Sequence, residues 1–330
     1  MAPTTTDAST AQKMTNGGVD NSGRTRDYST LSNADVICAH FMDLDLEVDF
    51  AKKSIFGNVT YSLSAEKWRK AQGGGSQLPQ YVLDTNGGLS VSAVEAAFVS
   101  ADVRSSSVST FGPVPWKLLP SPHAVFGRSL HISLSEELEE QVVAGGEGSV
   151  APIAGDVVLV RITYATSSEA MACQWVSPES TSGKKYPYLF TQCQAIHARS
   201  LLPCQDCPSA KCAYRAKIRA PSWSQTLMSA VLVETKTLEN AELSKKEFTF
   251  AQKVPVPSYL IAIVCGDIVS SKISDRVDVW SEPKDIEKVA YEFAETEEFL
   301  QIQVSLINGV ATMFFLCHLV FPMVAWRTRV

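Results

Sequence analysis

The sequence predicts a mainly β protein, an antiparallel β domain of the saddle or sandwich kind followed by a short helical stretch. Three observations carry this. Short runs with apolar residues at every second position recur along the chain, turn residues separate them, and helical spacing of apolar residues begins only from Ser281. Short strands without intervening helices exclude an alternating βαβ architecture.

The elements follow in order. Met1 to Asp27, rich in Thr, Ser, Asn and Gly and without an apolar h-region, reads as a disordered leader with no secretory signal. His40 to Phe50, HFMDLDLEVDF, puts Met42, Leu44, Leu46, Val48 and Phe50 on one face and Asp43, Asp45, Glu47 and Asp49 on the other. Strict alternation marks a half-buried strand, so the acids form a solvated face. A calcium loop would need its ligands in a turn with a central Gly. Ser54 to Ser64 follows a turn at Lys52 and Lys53, and Gln80 to Asp84 precedes the turn signal Asn86-Gly87-Gly88, with Ala71 to Gln77 as a loop between them.

Leu89 to Phe98, Leu130 to Leu134 and Asp156 to Tyr164 continue the strands, with Pro113 to Pro122 and Gly145 to Gly148 as surface connections. Cys212 to Arg219, Thr226 to Glu234, Glu247 to Val254 and Tyr259 to Val269 are four more strand-like runs, and Glu239 to Lys246 is a charged hairpin or short helix. From Ser281, a plausible N-cap with Pro283 in the first turn, Ile286, Val289, Phe293 and Leu300 fall near helical spacing.

The 330 residues, 45% of them hydrophobic, suffice for a sizeable core. A formal net charge of -6 with no Lys/Arg cluster argues against a nucleic-acid partner. Without a secretory signal the eight cysteines are expected as reduced thiols of a cytoplasmic protein. Cys204, Cys207 and Cys212 invite a zinc reading, but a structural site needs four ligands. The nearest fourth, His197, sits upstream in an expected strand, so the three are read as apolar thiols near a turn.

The stretch from Gln174 to Lys211, QWVSPESTSGKKYPYLFTQCQAIHARSLLPCQDCPSAK, organises the chain. It resembles the glutamine-bearing loop of the M1-class zinc aminopeptidases, in the leukotriene A(4) hydrolase and aminopeptidase B branch. The resemblance runs from about Tyr28 to about Gln303. It implies an N-terminal β domain over 28–269 and the start of a thermolysin-like catalytic domain over 270–303. It assigns Gln192, Gln194 and the backbone of Ala195 to substrate binding; a carboxamide donates and accepts, which suits a peptide N-terminus. By residue chemistry alone, His197 and Arg199 are structural, since a base needs a nucleophile and an orienting partner. Asp206 reads as a loop-ordering carboxylate beside Arg199 or Lys211.

The implied activity is removal of N-terminal residues from peptides, with epoxide hydrolysis a further activity of that branch. The family holds zinc with H-E-x-x-H on a helix plus a downstream Glu. No two of His40, His123, His131, His197 and His318 have that spacing, and G-x-M-E-N is absent. No catalytic residue is therefore assigned, zinc belongs to the intact family enzyme, and none is expected on this chain.

The tail offers a reason. Where the family would continue into L-P-P-S-F-P-Y-G-G-M-E-N-P, residues 304–330 end in NGVATMFFLCHLVFPMVAWRTRV. When the last base of each codon is joined to the first two of the next, Met323-Val324 forces Gly, and the pairs through Arg329 permit G-M-E-N-P. Cys317 to Pro322 permits P-P-S-F-P. A one-base slip near Val304 to Ile307 accounts for the tail. The chain then reads as a fragment inactive alone, monomeric or aggregation-prone.

A reading of another class takes the tail at face value. Leu306 to Trp326 has no Asp, Glu, Lys or Arg and the length of a transmembrane helix, followed by Arg327 and Arg329. The chain would then be a tail-anchored, non-catalytic β binding or regulatory module. Asn308, His318 and Pro322 weigh against a membrane span.

Overall fold

The alternation of apolar and polar residues that dominates the sequence becomes four β-sheets in the computed structural model, which describes residues 27–67, 80–86, 88–99, 111–120, 124–134, 156–238, 244–306 and 325–328. The expected leader (apart from Asp27), the loop at 71–77, Gly145 to Gly148 and most of the tail lie outside these residues.

The strands are β1 (Phe41–Asp49), β2 (Ser54–Ser64), β3 (Gln80–Thr85), β4 (Ser90–Val99), β5 (Gly112–Pro113), β6 (Trp116–Pro120), β7 (Arg128–Ser133), β8 (Val157–Ala165) and β9 (Cys173–Val176). They continue as β10 (Tyr188–Thr191), β11 (Lys211–Pro221), β12 (Gln225–Met228), β13 (Val231–Leu238), β14 (Lys245–Pro257), β15 (Ile263–Gly266), β16 (Val269–Lys272), β17 (Val277–Ser281) and β18 (Ala325–Thr328). The helices are α1 (Ala198–Leu201), α2 (Ile286–Glu292) and α3 (Thr296–Leu306).

An eight-stranded sheet has the order β13-β14-β11-β1-β2-β8-β4-β5, and smaller sheets have the orders β12-β15-β10-β9, β3-β7-β6 and β16-β17-β18. Among the described residues all pairs are antiparallel except one: β1 and β11 run parallel, Phe41 opposite Ala213 through Glu47 opposite Arg219. That single pair makes the large sheet mixed. It is reached by a long excursion through β2 to β10, as a parallel pair requires.

Strand β1 follows the predicted alternation. Met42, Leu44, Leu46 and Val48 are buried in the main core, each burial worth roughly 1.5–3 kcal/mol. The outward acids are paired across strands: Asp43 with Arg215 at 2.7 Å, Asp45 with Arg219 at 2.6 Å and Glu47 with Lys245 at 2.6 Å. Gly57 of β2 lies opposite Leu46 at φ +144°, where an added Cβ would sit 2.1 Å from the Asp45 carbonyl oxygen.

Several expectations are corrected. The Pro-rich connection contains β5 and β6, and β6 is an edge strand, where Pro120 costs no ladder bond. Thr226 to Glu234 is not one strand but β12 and β13, in different sheets. Tyr259 to Val269 likewise breaks into a 3-10 turn at Ser258–Leu260, then β15 and the first residue of β16. Lys245 and Lys246 are strand, and 239–243 lie outside the described residues. Ser281 ends β17 instead of capping a helix. The cap position is Asp285, Pro283 precedes it, and the helical stretch divides into α2 and α3 around Phe293 to Glu295. In the tail, β18 pairs with β17, Val277 opposite Thr328 to Trp280 opposite Ala325.

Candidate functional site: the glutamine turn after β10

Strand β10 stops at Thr191, whose hydroxyl accepts from the Ile263 backbone N–H at 2.8 Å. The Gln192 N–H donates to the Ala172 carbonyl at 2.8 Å, and the His197 N–H to the Cys193 carbonyl at 2.9 Å. Gln192 to His197 are therefore a turn between β10 and α1, as the glutamine-bearing loop implied, and it takes in His197, for which a strand was expected. The Gln194–Ala195 peptide bond is cis.

Cys193 points inward and is 2% exposed. Gln192 is half-buried, while Gln194 and Ala195 are exposed at the tip. The structure thus places the three predicted site residues in one turn, with the carboxamide of Gln194 free to donate and accept. Burial pushes the Cys193 thiol well up, and pushes Cys173 up to about 12. These thiols are packing groups at neutral pH.

The far end of the turn is fixed by charge. Arg199 in α1 is fully buried, and its Nε donates to Asp206 Oδ2 at 2.9 Å. Its Nη1 donates to the Phe126 carbonyl at 3.1 Å, and its Nη2 to the carbonyls of Ser29 at 2.9 Å and Asp206 at 3.2 Å. Asp206 Oδ1 accepts from Ser258 Oγ at 2.7 Å. Asp84 lies 3.7 Å from the guanidinium and accepts from Leu31 N at 2.6 Å, Thr30 Oγ1 at 2.5 Å and Asp206 N at 3.0 Å. Burial holds the Asp84 carboxyl above its ordinary range, against the opposing pull of Arg199.

This network ties the N-terminal strap at 29–31, β3, α1, the 204–207 loop and the Ser258 turn to one point. Asp206 meets Arg199, one of the two partners expected for it, and Arg199 is structural, as its surroundings require. His197 occupies the N-cap position of α1 without a side-chain capping bond, in a turn where a strand was expected. What the sequence does not reveal is Asp84: it ends a strand like any other residue, and only the fold brings it to Arg199.

A cavity of about 30 Å³ beside the 204–207 loop, lined by Met42, Tyr61, Cys204, Gln205, Cys212 and Ser258, is water-sized and far too small for an amino acid. Among the described residues no group of three or more His, Cys, Asp or Glu is arranged to hold a metal ion. The described residues do not fit a zinc centre.

On the other side of β10, the loop at 177–187 grips the start of α2. Ser182 Oγ hydrogen-bonds Asp285, and the Gly183 N–H donates to Glu282 Oε2 at 2.8 Å. The segment containing the glutamine turn is thereby joined to the helical stretch that follows the β domain.

The Peptidase M1 N-terminal domain description matches residues 125–260. Leukotriene A-4 hydrolase of Xenopus laevis is 33% identical over 275 residues, 83% of this chain and 39% of that protein. Leucine aminopeptidase 2 of Yarrowia lipolytica is 34% identical over 286 residues, 86% of this chain and 37% of that protein. Among solved structures, native leukotriene A4 hydrolase from Saccharomyces cerevisiae superposes with a TM-score of 0.64 at 28% identity, covering 93% of this chain and 40% of that one. The chain therefore spans about two fifths of the length of these relatives.

Proposed function

From the premise that this chain carries the N-terminal domain of the M1 peptidases, we propose that it forms one wall of the substrate cleft of a zinc aminopeptidase similar to leukotriene A-4 hydrolase. In that role Gln192, Gln194 and the Ala195 backbone receive the N-terminal residue of a peptide. The observation that carries this is the exposed Gln194 carboxamide at the tip of a turn anchored on both sides, by Cys193 in the core and by the Arg199–Asp206 pair. A neutral donor and acceptor on a rigid base positions a substrate without adding a competing charge.

The wall does no bond-breaking chemistry. Metal, general base and electrophile belong to the catalytic domain of the family, whose zinc motif this chain lacks, so the chain alone is inactive. Its place of action is the cytoplasm. Residues 270–303 begin the catalytic domain, and residues 304–330 depart from the family by a slip of one base. Epoxide hydrolysis rests on residues of that further domain.

The test is to sequence the transcript across Phe299 to Val330 and onward, and to assay the product of the gene read one base on. The proposal predicts a frame running through G-G-M-E-N into H-E-x-x-H, and a product that hydrolyses aminoacyl amides while the 330-residue chain does not. A confirmed tail whose chain is itself an active aminopeptidase overturns it.

A further inference from the structure

Strand β13 is the last strand of the large sheet, and among the described residues no further strand pairs with its outer edge. Val233 to Thr237 are exposed along this edge. At its centre Glu234 and Lys236 pair with each other at 3.0 Å on one face, with side chains 50% and 56% exposed. Natural proteins blunt such edges with charge, and a lone Lys here would do so. Two opposite charges placed symmetrically about Thr235 have another consequence.

Two β13 strands laid antiparallel about a two-fold axis at Thr235 bring Glu234 of each copy opposite Lys236 of the other. The pairing is self-complementary, as a two-fold interface requires. The charge pattern behind the edge points the same way. Residues in register across the outer face form the row Glu47, Arg219, Glu247 and Lys236, of alternating sign. The adjacent row is Asp45, Lys217, Thr249 and Glu234. Across the axis the first row runs into the second, so that Lys236 meets Glu234 of the second copy and the alternation continues.

We propose that β13 is a homotypic pairing edge and that the occupant of this edge is a second copy of the same chain, joined by main-chain hydrogen bonds and two Glu234–Lys236 pairs. This differs from the expectation of a monomeric or aggregation-prone fragment. It does not depend on the substrate-cleft reading, because β13 belongs to a different sheet from β10. Main-chain bonds give such an edge its affinity, and the charged pairs set its register.

The test is analytical ultracentrifugation of the full chain and four samples derived from it, with far-UV circular dichroism to verify the fold of each. The full chain dimerises in a concentration-dependent way. Glu234→Lys alone sets Lys against Lys, and Lys236→Glu alone sets Glu against Glu, so each weakens the dimer at least about tenfold. An equimolar mixture of those two variants restores a dimer, since each supplies the other's missing sign. The double variant Glu234→Lys/Lys236→Glu restores self-association. A full chain that stays monomeric, single variants that dimerise like the parent, or a mixture that fails to associate overturns the proposal.

Discussion

Arg199 Nε donates to Asp206 Oδ2 at 2.9 Å with both side chains buried, five residues beyond the exposed Gln194 that their pairing helps to hold in place. One guanidinium serves two buried carboxylates, Asp206 and Asp84. Removing it leaves both uncompensated, which for a buried pair costs about 3–5 kcal/mol. Arg199→Leu is expected to lower the unfolding free energy by that amount in urea titration. Arg199→Lys is expected to rescue little, because an ammonium cannot reproduce the fork of bonds to Asp206, Phe126 and Ser29. The loss should be largest at neutral pH. Arg199 lowers the affinity of Asp84 for a proton, so its removal raises the Asp84 carboxyl further, and protonation as the pH falls relieves the unpaired charge. A loss of under 1 kcal/mol at pH 7 would mean that the network is not a brace.

The acidic face of β1 behaves differently, because its ion pairs lie at the surface. Asp45→Asn breaks the bond to Arg219, whose side chain remains 30% exposed and keeps Glu247 at 3.0 Å. The expected cost is at most about 1 kcal/mol, fading as salt screens the pair. Stability measured at low and high salt checks this. A loss of several kcal/mol that persists at high salt contradicts it.

Glu297 at the start of α3 accepts from Arg276 and Ser274, and these bonds hold its carboxyl well below its ordinary 4.5, at about 2. A folded pKa below the unfolded value stabilises the fold fully above about pH 4.5, and that contribution disappears as the pH falls through 2. The melting temperatures of the parent and Glu297→Gln should therefore differ at neutral pH and converge over that acid range. Equal melting temperatures at pH 7 would show the pairing to be inert.

The thiols of Cys173, Cys193, Cys204 and Cys265 are buried, and burial raises each of them. Iodoacetamide at mildly alkaline pH is expected to leave these four unmodified in the native chain and to label them after unfolding. Among the described cysteines Cys38, which is partly exposed, reacts first. Rapid native labelling of Cys193 would contradict its role as the inward anchor of the glutamine turn.

Much of the architecture was legible because alternation is a local signal. The period of two in Met42 to Val48 placed β1, and the same pattern placed β2, β4, β7 and β8 within a residue or two. Long-range pairing left no local trace. Nothing in FMDLDLEVD says that β1 lies parallel to β11, and nothing in Thr226 to Glu234 says that the chain changes sheets at Ser229 and Ala230. The same limit applies at the site. Gln192 and Gln194 came from likeness to a family loop, whereas His197 was read as strand because nothing local marks the hydrogen bond from its N–H to the Cys193 carbonyl that closes the turn. Asp84 could be found only through the fold, since Arg199 lies over a hundred residues away in sequence and the pairing depends on β3 lying against α1.

The proposed substrate wall depends most directly on Gln194, and the decisive measurement is the aminopeptidase kinetics of Gln194→Ala in the product read one base on through Val304 to Ile307. A hydrogen bond to a charged group such as a substrate ammonium is worth about 1.5–3 kcal/mol. The variant should therefore lose at least about tenfold in kcat/KM, mainly through KM, with its melting temperature unchanged. An unchanged kcat/KM would remove Gln194 from the cleft and contradict the assignment of this turn as the substrate wall.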